Sequence, residues 1–360
     1  MKEKKLEKTK VGILINDVSK GAGTERAVIN LANILITDYE VFIFSFYTSG
    51  GTPTYKLDDN VKIVHLRSEN EIIKGKLGNL KYVNKKINIL LRDFNIEVAI
   101  GTDAIFNYVL SLHKNIKTIG CEHFSYESNS RIHNLLSRVL YKKLDKVVLL
   151  TQRDKNCYSF LKNAEVIPNS LSFEPTSFCK CDSKQMVAVG RLTYQKGFDL
   201  LLEIAKELKI KIPDWKIILY GEGEDREKLL SQIELYKLDG FVEIRQFTKK
   251  IQDVYLESSI YLMTSRWEGL PMVLIEAQSM GLPIVALDCP CGPSDIIVAN
   301  KNGFLCNPDD FDGFIQAVVK LANNDDLRIK MSKASIELAK RYSTESVSKK
   351  WTVLMKSLLF

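Results

Sequence analysis

The chain has 360 residues, 45% of them hydrophobic and 26% charged, with 19 Gly and 9 Pro. These proportions exclude disordered, collagen-like and low-complexity classes, and the length predicts two hydrophobic cores. The net charge of +7 is carried by the first half: residues 1–170 hold 26 Lys and Arg against 18 Asp and Glu, and the remainder 25 against 26. A basic first half points to an anionic surface or acidic substrate there, against the plainer reading of a solvated charge bias. No run reaches the roughly 20 apolar residues of a membrane span. Val11–Ile15 is too short for the apolar core of an export signal, so the expectation is a cytoplasmic protein. The seven Cys include the pairs Cys179/Cys181 and Cys289/Cys291, which stand one residue apart rather than two. With no His at zinc spacing, they read as free thiols in a reducing compartment.

Short apolar runs alternate with segments of helical period, the pattern of α/β folds with parallel sheets. In chain order the first half predicts strands at Val11–Asn16, Val41–Tyr47, Val61–His65, Val98–Gly101, Lys117–Gly120 and Lys146–Leu150. Helices are predicted between them at Thr24–Ile36, Leu80–Phe94, Ala104–His113 and Arg131–Lys142. An aperiodic stretch, Asn169–Ser183, reads as a linker. Beyond it come strands at Met186–Gly190, Lys216–Tyr220, Val242–Gln246, Ile260–Met263 and Ile284–Leu287. Their helices are Phe198–Lys209, Arg226–Lys237, Leu270–Met280, Asp310–Ala322 and Leu327–Arg341. A last helix, Thr344–Leu359, carries Val347, Trp351, Leu354 and Leu358 at helical spacing. The expected organisation is a Rossmann-like domain over residues 1–170, a second over 171–342, and a helix over 343–360 packing at the domain junction.

Arg266–Pro283 is the most informative segment. It follows a strand, places Gly269 in a turn, and puts Pro271 where a first helical turn tolerates a missing N–H. Gly281 then ends the helix. Such a helix start at a strand's carboxyl end offers free N–H groups to an anion. Glu268 lies on the loop, where a carboxylate also serves the helix dipole. Glu276 interrupts an apolar stretch, and a buried carboxylate needs hydrogen-bonding partners, so it is a candidate for binding hydroxyls.

Gly190-Arg191 ends a strand, and Lys196-Gly197 opens the following helix. Two cations on one loop at a sheet's carboxyl edge suit a diphosphate. Gly21-Ala22-Gly23 precedes the first helix and resembles a stretched dinucleotide fingerprint. The strand Val41–Tyr47 ends without the acidic residue that would hold a ribose, which argues against a nicotinamide cofactor.

Taken together, Gly21-Ala-Gly-Thr-Glu25, Glu122-His123, Pro168-Asn169, Gly190-Arg191, Lys196-Gly197, Gly221-Glu-Gly223 and Glu268 with Glu276 resemble the retaining glycosyltransferases of family 4, over nearly the whole chain. The resemblance implies the GT-B architecture, in which two Rossmann-like domains with parallel sheets face across a cleft and a C-terminal helix crosses back to the N-terminal domain. It implies a nucleotide-sugar donor on the second domain and an acceptor on the first. Arg191 and Lys196 would bind the donor diphosphate and stabilise the leaving group, and Glu276 would hold the ribose. Glu268 and the amides after it would meet the transferred sugar and phosphate, with Gly269, Leu270 and Pro271 in the donor site. Gly190 and Gly221 would line the donor site, and the loop Gly21, Ala22, Gly23 would approach the diphosphate. His123 would stand near the reacting sugar, although a lone His at a strand end is more often a packing residue. The family commonly has adjacent glycines where this chain has Ala22-Gly23. Asp288–Ile297 looks like members that build capsular or O-antigen polysaccharides from UDP-sugars.

The expected activity is transfer of a hexose or N-acetylhexosamine from a UDP-sugar to a glycan acceptor linked to a polyprenyl diphosphate. A UDP-sugar 2-epimerase of the same fold and a non-catalytic nucleotide-sugar-binding module are the alternatives. Asp310-Phe-Asp312 matches a metal-binding Asp-x-Asp but opens a helix, where Asp is ordinary capping. No metal and no cofactor are therefore expected. Nucleic-acid binding is not expected, because aromatic and basic residues are not interleaved. The helix from Arg131 to Lys146 has Ile132, Leu135, Leu136, Val139, Leu140 and Leu144 on one face and Arg131, Arg138, Lys142, Lys143 and Lys146 on the rest. Such a helix either covers a sheet or lies on an anionic bilayer. The second reading places the protein at the inner face of the cell membrane, peripherally.

Overall fold

In the computed structural model, residues 8–21, 23–47, 51–66, 75–248, 250–290 and 292–359 are described, residues 75–78 by backbone alone. Ala22 and Cys291 lie outside the described residues. The chain divides into two compact units, Met1–Ser172 with Thr344–Phe360, and Phe173–Ser343.

The first unit runs β1 (Lys10–Ile15), α1 (Gly23–Leu35), β2 (Glu40–Ser45), β3 (Lys62–His65), α2 (Gly75–Asp93), β4 (Val98–Gly101), α3 (Ala104–Leu110), β5 (Lys117–Glu122), α4 (Arg131–Leu140), β6 (Lys146–Leu149), α5 (Gln152–Cys157) and β7 (Ala164–Val166). Its strands form one parallel sheet in the order β3-β2-β1-β4-β5-β6-β7. Alternation along β1 sends Val11, Ile13 and Ile15 into one core with Val28 and Ala32 of α1. Leu14 goes to the opposite core with Phe42, Phe44 and Phe106. Strands buried on both faces are the reason the sequence shows continuous apolar runs here.

The second unit runs β8 (Gln185–Val189), α6 (Phe198–Lys211), β9 (Lys216–Tyr220), α7 (Arg226–Leu235), β10 (Val242–Arg245), α8 (Ile251–Leu256), β11 (Ile260–Met263), α9 (Met272–Ser279), β12 (Ile284–Leu287), α10 (Pro293–Ile296), β13 (Gly303–Cys306), α11 (Phe311–Ala322) and α12 (Asp325–Ala339). Its parallel sheet has the order β10-β9-β8-β11-β12-β13. Both sheets therefore reverse direction beside their first strand, between β1 and β4 and between β8 and β11. Two Rossmann-like α/β domains are the result, and the crevice at each reversal is where such sheets take ligands. The last helix, α13 (Thr344–Leu359), buries Val347, Trp351, Leu354, Met355 and Leu358 in the core that contains α1 and β1.

Two predicted helices differ in ways that bear on the candidate residues. The helix expected to reach Lys146 ends at Leu140, followed by a 3₁₀ turn over Tyr141–Lys143. Leu144 is buried rather than on that helix's stripe, because the chain must already be descending into β6. Pro271 caps α9 rather than occupying its first turn: its φ of −72° and ψ of 95° are extended, and its carbonyl accepts from Leu274 N at 3.0 Å. Glu276 consequently sits little more than one turn into α9. Asp310 caps α11 by accepting from Gly313 N at 2.9 Å. Among the described residues no helix is long and apolar enough to cross a membrane.

Candidate active site

The residues singled out in the second unit gather at the carboxyl ends of β8, β9 and β11. Lys196 Nζ and Glu268 Oε1 are 2.6 Å apart, and both side chains are largely buried. Gly190 leaves room for the Lys196 stem, since a Cβ there would lie 3.1 Å from the Lys196 Cδ and Cε atoms and press on them. Gly221 brings the β9 loop against the β8 loop, where its Cβ would fall 1.8 Å from the Gly190 carbonyl oxygen. Gly197 has φ +63°, and a Cβ would stand 2.0 Å from the Thr264 carbonyl oxygen, while Thr264 Oγ1 donates to Gly197 O at 2.8 Å. Only glycine fits there on both counts.

A clamp that the sequence reading missed holds the two loops together. Arg266 on the β11 loop pairs with both oxygens of Asp199 at 2.8 and 2.7 Å and donates to Tyr194 O at 2.7 Å. Its guanidinium lies 3.8 Å from the Tyr194 ring centroid. Arg266 N also donates to Gln195 O at 2.8 Å, and Gln195 Nε2 to Trp267 O at 2.9 Å. Burial works against the Asp199 carboxylate, but the Arg266 bonds and charge outweigh it and hold its pKa below the ordinary value. The 67-residue separation of this pair leaves no local pattern to find.

Arg191 is exposed at the mouth of the same loop and makes no ion pair among the described residues. Leu270 and Pro271 are buried where the β11 loop meets α9. Glu276 is not at the loop surface: it is buried in α9, and its Oε2 accepts from Tyr255 Oη of α8 at 3.3 Å. Tyr255 is a second residue the sequence reading missed. Beside these groups lies a pocket of about 210 Å³ lined by Val189, Lys196, Tyr261, Thr264 and Glu268 among others. Cys289 adjoins Glu268, and burial, with the Glu268 and Asp288 carboxylates, pushes its thiol up to about 12, so it is unreactive near neutrality.

In the first unit, Gly21 ends the β1 loop and Gly23 opens α1. Tyr55 Oη donates to Gly21 O at 2.9 Å, and Thr54 Oγ1 to Ser19 O at 3.0 Å. A Cβ on Gly23 would meet nothing within 4 Å, and one on Gly21 only Thr54 at ordinary contact distance. The neighbouring β4 loop joins this edge through Asn16 Nδ2, which donates to Asp103 Oδ2 at 3.1 Å.

His123 follows β5 and lines a groove of about 380 Å³ with Ala27, Val28, Cys121, Pro168, Asn169 and Trp351 among others. Both its ring nitrogens are shielded from solvent and have no hydrogen-bond partner among the described residues. Burial lowers its pKa to about 4, which leaves the imidazole neutral at physiological pH. Glu122, one residue earlier, is buried in a polar network. It accepts from Tyr141 Oη at 2.8 Å and Tyr158 Oη at 3.4 Å, and stands 3.2 Å from His133 Nε2. Tyr108 Oη completes the cluster at 2.7 Å from His133 Nδ1.

Residues 176–338 match the family described as glycosyl transferases group 1. AmsD, the amylovoran biosynthesis glycosyltransferase of Erwinia amylovora, is 33% identical over 359 residues, covering 96% of this chain and 99% of the relative. A Campylobacter jejuni N-acetyl-D-galactosaminyltransferase, whose name gives a GalNAc-containing glycan on PP-undecaprenol as acceptor, is 25% identical over 96% of this chain and 98% of its own. Staphylococcus aureus TarM, solved in complex with UDP, α-GlcNAc-glycerol and fondaparinux, superposes with a TM-score of 0.80 at 19% identity, covering 96% of this chain and 99% of that one. Two Rossmann-like units, paired cationic and acidic groups at a sheet's reversal point, and these likenesses define a sugar-transferring enzyme of GT-B type. The chain belongs to the group 1 glycosyltransferases. The epimerase alternative gains no support from these relatives.

Proposed function

We propose that this glycosyltransferase moves a hexose or N-acetylhexosamine from a UDP-sugar, with retention of anomeric configuration, to a polyprenyl-diphosphate-linked glycan in surface polysaccharide assembly, at the inner face of the membrane. The observation that carries the donor half is the Lys196–Glu268 pair, held at the carboxyl edge of the second sheet with Arg191 exposed beside it. An ammonium has three N–H donors, so Lys196 can keep one on Glu268 and turn the others to a diphosphate. Glu268 would thus place Lys196 before the donor arrives. Arg191 would supply the second cation, and both would stabilise charge on the departing UDP. Two cations make a metal unnecessary for that task, and Asp310 is engaged as a helix cap. Glu276 would serve the ribose hydroxyls, with Tyr255 orienting its carboxylate. The Gly269 and Leu270 amides would meet the transferred sugar, and the Gly21–Gly23 backbone the diphosphate.

His123, neutral and half-buried, suits donation to or acceptance from a sugar hydroxyl better than proton abstraction. The donor phosphate would take the acceptor's proton. The amylovoran and PP-undecaprenol relatives support a lipid-linked polysaccharide acceptor, and the basic first half supports an anionic membrane as its setting.

The test is a transfer and donor-hydrolysis screen with UDP-, GDP- and ADP-sugars against polyprenyl-diphosphate sugars, the product's anomeric centre being read by NMR. Turnover with a UDP-sugar and an axial-to-axial outcome is expected, unchanged by excess EDTA. Selective use of a GDP- or ADP-sugar, an inverted product, or loss in EDTA with rescue by Mn²⁺ would each overturn the corresponding part.

A further inference from the structure

Helix α4 is mounted inside out. Its polar side faces the protein: His133 bonds to Tyr108 and approaches Glu122, Asn134 Nδ2 donates to Tyr126 O at 3.1 Å, and Ser137 is fully buried. Its apolar side faces away, with Ile132 71%, Leu135 66%, Leu136 39% and Val139 57% exposed, and Phe124 in the preceding loop 56% exposed. At helical spacing these four residues of α4 form one stripe about 100° wide. Contiguous apolar surface of this kind on a soluble domain marks an interaction site.

The rim is basic. Arg131, Arg138, Lys142 and Lys143 are all exposed beside the stripe. Arg138 and Lys142 both lie over the Phe160 ring, at 5.3 and 5.9 Å, which fixes their heads along one side of the helix. An apolar stripe flanked by cations is the pattern of a helix lying in the plane of an anionic bilayer. A second copy of the chain fits less well, because an isologous contact would bring two basic rims together.

We infer that α4, with Phe124, inserts into the interfacial region of an anionic bilayer. The inference rests on the proposed lipid-linked acceptor and deepens it in two respects. Attachment by insertion survives salt that screens the cations alone. The buried side of the inserted helix is also one hydrogen bond from Glu122, and Glu122 precedes His123. Docking therefore sets the carboxyl end of β5 close beneath the headgroups, where a diphosphate-linked glycan emerges.

Flotation of the full chain with phosphatidylcholine vesicles, with and without phosphatidylglycerol, tests this at low and high salt. Wild type is expected to float with the anionic vesicles and to keep a substantial bound fraction at high salt. The triple variant I132S/L135S/V139S should lose at least tenfold in partitioning at both salts. K142E/K143E should lose about fivefold per residue at low salt and little at high salt. In a Leu135→Trp variant, brominated lipid chains should quench the added fluorescence. Wild type that fails to float, a serine variant that floats equally well, or an unquenched Trp overturns insertion. A concentration-dependent dimer that the serine changes abolish, without flotation, assigns the stripe to a second copy instead. Transfer to a soluble acceptor glycoside, measured on the same preparations, reports the proposed activity independently. Its loss leaves the docking result standing, and its persistence without flotation removes only the docking.

Discussion

The loop glycines at the two sheets' reversal points do opposite work. In the second unit, Gly197 and Gly221 are required by the protein itself, because a Cβ on either would enter a backbone carbonyl of a neighbouring loop. Those glycines weld the β8, β9 and β11 loops into one rigid platform, which the Arg266–Asp199 clamp reinforces. In the first unit, Gly23 faces open space and Gly21 touches only Thr54. Among the described residues, nothing in the packing demands glycine at either position. The difference teaches that a glycine-rich loop at a helix start has two origins, close backbone packing and close approach by a ligand. Substitution can separate them.

The largest effect should come from the platform's charge rather than its shape. Lys196→Ala and Arg191→Ala are each expected to lower turnover about 10²–10³-fold, or about 2.7–4 kcal/mol of transition-state stabilisation, with thermal unfolding of the Arg191 variant unchanged. Near-normal kcat in both would detach the platform from catalysis. Next comes Gly197→Ala, which must move backbone and strain a left-handed residue. A stability loss of about 3 kcal/mol or more is expected in denaturant titration, by analogy with other strained backbone sites. A loss under about 1 kcal/mol would show that the loops are not welded.

A comparable but pH-gated effect is expected at His123. Burial holds its folded-state pKa at about 4, below the ordinary histidine value of about 6.5, so the unfolded chain binds the proton first. Stability should be full above pH 6.5 and fall as pH drops toward 4, by up to about 3 kcal/mol at roughly 1.4 kcal/mol per unit. His123→Asn should flatten that part of the curve in urea titrations at stepped pH; an unchanged slope would mean the ring is hydrated in solution. The smallest structural effect belongs to Gly23→Ala, which should shift stability by no more than about 0.5 kcal/mol, in the stabilising direction if at all. Its donor KM or UDP affinity should nevertheless weaken. If both stability and affinity are untouched, the glycine serves neither packing nor ligand.

Much of this fold could be read from the sequence, because strands buried on both faces leave apolar runs and helices leave a 3.6-residue period. What escaped was short. Ala164–Val166 and Gly303–Cys306 are edge strands of three and four residues, and too few positions alternate to register a period. Lys196 and Glu268 were legible because each sits where a strand pattern turns into a helix pattern. Glu276 was legible as a carboxylate in an apolar stretch, but its partner Tyr255 and the Asp199–Arg266 clamp were not, since those pairings arise only when distant segments meet. The α4 helix shows a further limit. Periodicity revealed an apolar stripe, but it is the same whether the stripe faces inward or outward. The residues that decided the matter were His133 and Asn134, whose partners lie on other elements, and the fully buried Ser137.

The path of the chain has a consequence for how the protein is made. The first unit's core includes Val347, Trp351, Leu354, Met355 and Leu358, so its last piece is separated from its first by the whole of Phe173–Ser343. During synthesis the second unit holds all its own residues before α13 has left the ribosome. The nascent first unit must meanwhile wait with the flank of α1 uncovered. Contacts of such sequence separation form late, and domains otherwise tend to fold in order of emergence. The unit translated first is thus completed last, and removal of α13 should expose its core rather than that of the unit immediately preceding the helix.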